Sequence, residues 1–174
     1  HISSYEQLAQ LVSHIPEHAK RLMETFWPGP LTVILPKSNL VPDQVSAGLP
    51  TVAVRFPSHP TARAVIQQAG VPLAAPSANV SGSPSPTAAA HVLHDLDGKI
   101  DAVIDGGPCT IGLESTVITL AEETPVLLRP GAVTLEQLQQ VLGTVKMADA
   151  VLHQLKQGSV AASPGMKYKH YAPD

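Results

Sequence analysis

Two periodicities alternate along the chain. Between Ser3 and Ile15 the apolar residues Leu8, Leu11, Val12 and Ile15 fall on one stripe, and Ser3 with Glu6 has the form of a capping box, so the pattern predicts a helix. A second helix is predicted over 17–26. It is closed by Trp27-Pro28-Gly29-Pro30, because proline cannot continue the ladder. Short apolar runs predict strands at 31–35, 51–56, 72–75, 102–105, 116–120 and 126–129. Further helices are predicted over 60–69, with Ser58 as cap and Gly70 just beyond the end, over 86–96, over 134–142 with a second capping box from Thr134 to Gln137, and over 148–157. Residues 39–50 read as a loop. Short strands mixed with helices predict an α/β domain built on a twisted mixed sheet, with 116–120 and 126–129 paired as a hairpin. The domain is expected to span 1–144, with a helix and linker over 145–174.

Within TVAVRF, side chains alternate across the strand. Val52, Val54 and Phe56 face a core, while Thr51, Ala53 and Arg55 face the other way. An arginine in so apolar a strand needs a partner. A carboxylate or phosphate ligand suits its planar fork, and a surface Asp or Glu is the alternative. Arg129, at the end of VLLRPG, stands in a similar position.

The stretch VPLAAPSANVSGSPSPT passes from an apolar run into small hydroxyls, an asparagine, a glycine and prolines. Ser77 and Asn79 lie in it. Ser85 stands where an N-cap belongs, with Pro86 at the first helical position. Small side chains before a helix N-terminus can cradle phosphate, and an ordinary capped surface loop has the same composition. The segment DGGPCTIGLESTVITL has a similar design, with Ser115 and Val117 on one face of the following strand and Thr116 and Ile118 on the other.

Composition narrows the field. Hydrophobic residues make up 44% of 174, but aromatics only 3%, so the core must be aliphatic. A net charge of −3 confines any phosphate contact to a local site. The single cysteine, Cys109, cannot form an internal disulfide, which fits a reducing compartment, and it reads as a small thiol at least half-buried. Eight histidines include His91 and His94 on one helix face, yet no carboxylate completes a metal-ligand set at good spacing. No apolar run reaches the ~20 residues of a membrane span.

Taken in order, KRLMETFWPGPLTVIL, TVAVRFP, PLAAPSANVSGSPSPT, GLESTVI, LLRPG and SPGMKYKHYAP resemble the YrdC-like threonylcarbamoyl-AMP synthase family, and more narrowly its two-domain branch. The resemblance implies a YrdC-like twisted mixed sheet with flanking helices around a concave nucleotide cavity. It implies a cytoplasmic nucleotidyltransferase that makes threonylcarbamoyl-adenylate and pyrophosphate from ATP, L-threonine and bicarbonate, with Mg²⁺ on the ATP. The product would serve a tRNA threonylcarbamoyl transferase, and contact with tRNA is possible. Thr51, Ser77, Ser85 and Arg129 match ATP-contacting positions, and Asn79 belongs to the same loop. His1, Arg55, Ala75 and Ser115 match positions around threonine. In the linker, Tyr168 or Tyr171 matches a tyrosine that closes over the nucleotide. The family's N-terminal basic motif and its second domain are not found in these residues, so a fragment that is inactive alone is expected. Two rival readings are a carbamoyl-adenylate-forming domain and a non-catalytic binding module for tRNA or double-stranded RNA.

Overall fold

A computed structural model describes residues 1–152. The elements run α1 (Tyr5–Leu11), α2 (Glu17–Phe26), β1 (Leu31–Pro36), α3 (Asp43–Ser46), β2 (Thr51–Arg55), α4 (Pro60–Ala69), α5 (Ala89–Leu96), β3 (Thr116–Thr119), β4 (Val126–Arg129), α6 (Leu135–Leu142), β5 (Lys146–Met147) and α7 (Asp149–Leu152). The strands form one mixed sheet in the order β2-β1-β3-β4-β5. β1 is antiparallel to β2 and parallel to β3, β3 and β4 form the expected hairpin, and β5 adds in parallel to β4.

One face of the sheet carries the main core. Leu31, Val33 and Leu35 of β1 and Val52 and Val54 of β2 pack with Ile118, Leu127 and the helix residues Leu8, Leu22, Met23 and Leu138. Phe56, Trp27 and Tyr5 close one end with ring centroids 6.1–6.5 Å apart. The opposite face has a smaller apolar cluster, Ile34, Val117 and Leu128, and beyond it the sheet turns polar. The alternation in β2 is as expected: Val52, Val54 and Phe56 are buried, and Ala53 is exposed.

Several boundaries differ from the sequence reading. Helix α1 is capped by Ser4, not Ser3, and stops at Leu11 because Val12 turns extended to bridge Lys37. Pro42 starts a short helix inside the expected loop. Neither Ser58 nor Ser85 caps a helix: the N-caps are His59 and Ala88, and neither makes a side-chain capping bond. Residues 72–75 and 102–105 are not strands. The apolar runs are present, but none of the described strands pairs with them, and a strand needs a partner ladder. Cys109 is exposed, because the loop around it has no buried residue to close over it. The predicted helix over 148–157 is described as far as Leu152, and the rest of it and the linker lie outside the described residues.

Gly131, just after β4, backs onto the start of β3. A Cβ there would lie 2.5 Å from the Glu114 carbonyl oxygen and 2.6 Å from the Thr116 nitrogen. Both are backbone atoms at the head of β3, Thr116 being its first, buried residue, so relief requires moving the main chain there. Gly131→Ala is expected to cost about 1–3 kcal/mol of unfolding free energy, read as a lowered urea midpoint at unchanged slope.

Candidate functional site

The polar end of the second face is a row across four strands. Arg55 of β2 is paired in register with Thr32 of β1, Thr32 with Val117 of β3, and Val117 with Arg129 of β4. Directly opposed residues point to the same side of a sheet. Two guanidinium side chains therefore flank a threonine and the Ser115 hydroxyl just ahead of β3.

Each arginine is held by main-chain carbonyls. Arg55 Nε donates to Gly29 O at 3.1 Å. Gly29 sits in the tight Trp-Pro-Gly-Pro turn, where its own N–H donates to Phe56 O at 2.8 Å and a Cβ would collide with Phe26 O. The turn that ends α2 thus delivers an acceptor to the end of β2. Arg129 Nε and Nη2 both donate to Ser115 O, at 3.0 and 2.9 Å, and Nη2 also reaches Ser115 Oγ at 3.1 Å. Arg129 Nη1 lies 2.5 Å from Glu114 Oε2. Ser115 Oγ shares a hydrogen bond of 2.8 Å with Thr32 Oγ1.

The electrostatics follow from burial. Desolvation lowers the Arg55 pKa, and the Arg129 charge lowers it further, so the two cations sit within each other's field. Among the described residues no carboxylate is paired with Arg55, which removes the surface-pair alternative for it.

Of the residues singled out from the sequence, His1, Arg55, Ser85, Ser115 and Arg129 come together. His1 exchanges backbone hydrogen bonds with Leu73 (2.8 and 3.0 Å), and the next residue, Ile2, donates its N–H to Arg55 O at 3.0 Å. Ser85 Oγ donates to Glu114 Oε1 at 3.0 Å. Thr51 shares the face of Arg55 but lies at the other end of β2, roughly 13 Å along the strand. Ala75 and Ser77 are exposed. Asn79 is turned into its own loop, donating from Nδ2 to Val80 O and Ser83 O at 2.9 Å, with Oδ1 buried and without a partner. Tyr168 and Tyr171 lie outside the described residues. Sequence reasoning missed Thr32 and Glu114 as site residues. The signal for Thr32 was a hydroxyl at an alternating position of an otherwise apolar strand.

Comparison with known proteins agrees with this fold. Residues 1–131 match the Sua5–YciO–YrdC family, described as telomere recombination, and residues 133–174 match the family described as the C-terminal domain of threonylcarbamoyl-AMP synthase. The chain belongs to the Sua5–YciO–YrdC family. It is 54% identical over 173 residues to the threonylcarbamoyl-AMP synthase of Pyrococcus abyssi and 53% identical over 174 residues to that of Bacillus subtilis, with 99% of this chain covered in each case. It spans about half of each relative, 50% and 49% of their lengths. The crystal structure of P. abyssi Sua5 complexed with L-threonine superposes with a TM-score of 0.93 at 53% identity, covering 99% of this chain and 50% of that one.

The Thr32–Ser115 bond is the neutral link in the row. Thr32→Val is expected to cost about 1 kcal/mol in chemical denaturation, while the buried Leu31, Val33, Ile34 and Leu35 of β1 leave the fold intact.

Proposed function

We propose that the protein containing this chain is a threonylcarbamoyl-AMP synthase, a nucleotidyltransferase that forms L-threonylcarbamoyladenylate and pyrophosphate from L-threonine, bicarbonate and ATP. The observation that carries this reading is the pair of guanidinium groups on one sheet face, with Arg55 unpaired by any described carboxylate. A half-buried fork, held by Gly29 O in the field of a second cation, favours a carboxylate ligand. The relatives named above support the same reaction.

Arg55 clamps the threonine carboxylate, with His1, Ala75 and Ser115 around the rest of the amino acid. The threonine amine attacks the carbon of bicarbonate, with loss of water, or of carbon dioxide, with loss of a proton from the amine, and gives a carbamate. A carbamate oxygen then attacks the α-phosphorus, and pyrophosphate leaves. No protein nucleophile is required, so the protein's part is orientation and stabilisation of anionic charge. Thr51, Ser77, Asn79, Ser85 and Arg129 are assigned to the nucleotide, and one of Tyr168 and Tyr171 to covering it. Among the described residues no three His, Cys, Asp or Glu side chains gather into a metal-holding group. Mg²⁺ is assigned to the ATP. The product would feed a tRNA threonylcarbamoyl transferase in the cytoplasm. In the described residues no helix is long and apolar enough to cross a membrane.

The test uses the protein at the full length of its relatives. Incubated with ATP, Mg²⁺, bicarbonate and L-threonine, it should give threonylcarbamoyl-AMP by mass spectrometry and threonine-dependent pyrophosphate. Arg55→Ala should raise the KM for threonine about tenfold to a hundredfold, the loss of one charge-assisted clamp. Adenylate formed from carbamoyl phosphate instead would replace the reading with a carbamoyl-adenylate-forming enzyme. Salt-dependent RNA binding with no adenylate would replace it with a binding module.

A further inference from the structure

Ser85 and Arg129 reach the row from different parts of the chain, and one side chain joins them. Glu114 Oε1 accepts from Ser85 Oγ at 3.0 Å, and Oε2 lies 2.5 Å from Arg129 Nη1. The Arg129 and Glu114 side chains are 21% and 15% exposed, so removing either would strand a largely buried charge.

The two ends of this bridge differ in how they are held. Arg129 projects from a strand of the sheet. Ser85 lies in residues 71–113, none of which is buried. The hydrogen bonds that tie this segment to the sheet run through the His1–Leu73 backbone pair and through Glu114. No apolar packing fixes Ser85, so a polar contact has to. Glu114 can supply it because its own main chain is pinned: Gly131 backs onto its carbonyl, and β3 begins two residues later. On the other side, Ser115 O takes Nε and Nη2 of Arg129, and the Glu114 carboxylate takes Nη1. Together these acceptors set the plane of the fork.

We propose that Glu114 is a positioning residue for the nucleotide subsite: it docks the Ser85 hydroxyl beside the Arg129 guanidinium, so that both face one anionic ligand, whereas the Arg55 clamp is set independently by Gly29. The proposal rests on the assignment of Ser85 and Arg129 to ATP made above.

The separate anchoring of the two arginines gives the test. In the full-length protein, Glu114→Ala should raise the KM and the dissociation constant for ATP about tenfold or more, with the threonine KM within about twofold. Glu114→Gln keeps an acceptor for Ser85 but loses the ion pair, and should fall between Glu114→Ala and wild type. Ser85→Ala should weaken ATP binding in the wild-type background and add little to Glu114→Ala, since both remove the same link. Unchanged or tighter ATP binding by the Glu114 variants would overturn the proposal, because the carboxylate would then be idle or a competitor of the phosphate. So would an equal loss for both substrates together with a lowered Tm, which marks a merely structural role. Calorimetric binding of a non-hydrolysable ATP analogue separates the two levels of inference. A wild-type protein that binds the analogue but makes no adenylate defeats the enzyme reading and leaves Glu114 testable, whereas one that binds no nucleotide defeats both.

Discussion

The structure depends on keeping two like charges on one half-buried sheet face, within each other's field. Guanidinium groups cannot shed their protons to escape that position as a buried lysine would. The chain therefore surrounds each with fixed acceptors. Gly29 O and Ser115 O are main-chain groups, already oriented by the sheet and by a tight turn, so little further ordering is needed to hold the side chains. The sheet order makes this possible. With β1 and β3 between β2 and β4, the two arginines are separated by two strands rather than adjacent. At about 4.8 Å per strand that leaves a gap near 14 Å between their backbones, spanned by the Thr32 and Ser115 hydroxyls.

The two faces of the sheet divide the labour. The helix-covered face is aliphatic and supplies most of the burial, as the low aromatic content requires. That core extends past the junction between the two matched families: Leu138 and Val145 pack into it, and β5 joins the sheet. Helix α6 and β5 are thus packed with the first 131 residues, even though their sequence matches a different family.

How much of this was legible beforehand depended on whether the determining contacts were local. Helices α2 and α4, strand β4 and the Thr134–Gln137 capping box follow from signals within a few residues, and the sequence showed them. The two-residue alternation of β2 was enough to put Arg55 opposite the core. The failures are non-local. The runs at 72–75 and 102–105 have strand composition but no partner ladder among the described residues. Ser85 followed by Pro86 has the composition of a cap, yet its hydroxyl goes to Glu114, far along the chain, and the helix starts later. Glu114 itself resembled any acidic residue in a loop. What sets it apart is the contact with Ser85, far away along the chain, which no local pattern encodes.

The aromatic corner has an optical consequence. The chain contains a single tryptophan, and its indole N–H donates to Leu31 O at the head of β1, one residue from Thr32. The ring packs on Phe56, next to Arg55, and Trp27 opens the turn whose Gly29 carbonyl holds that arginine. The environment of this one fluorophore is thus coupled covalently and by packing to the Arg55 side chain. Emission excited selectively at the indole band is an intrinsic, label-free signal from that corner of the molecule, uncontaminated by any second tryptophan in these residues.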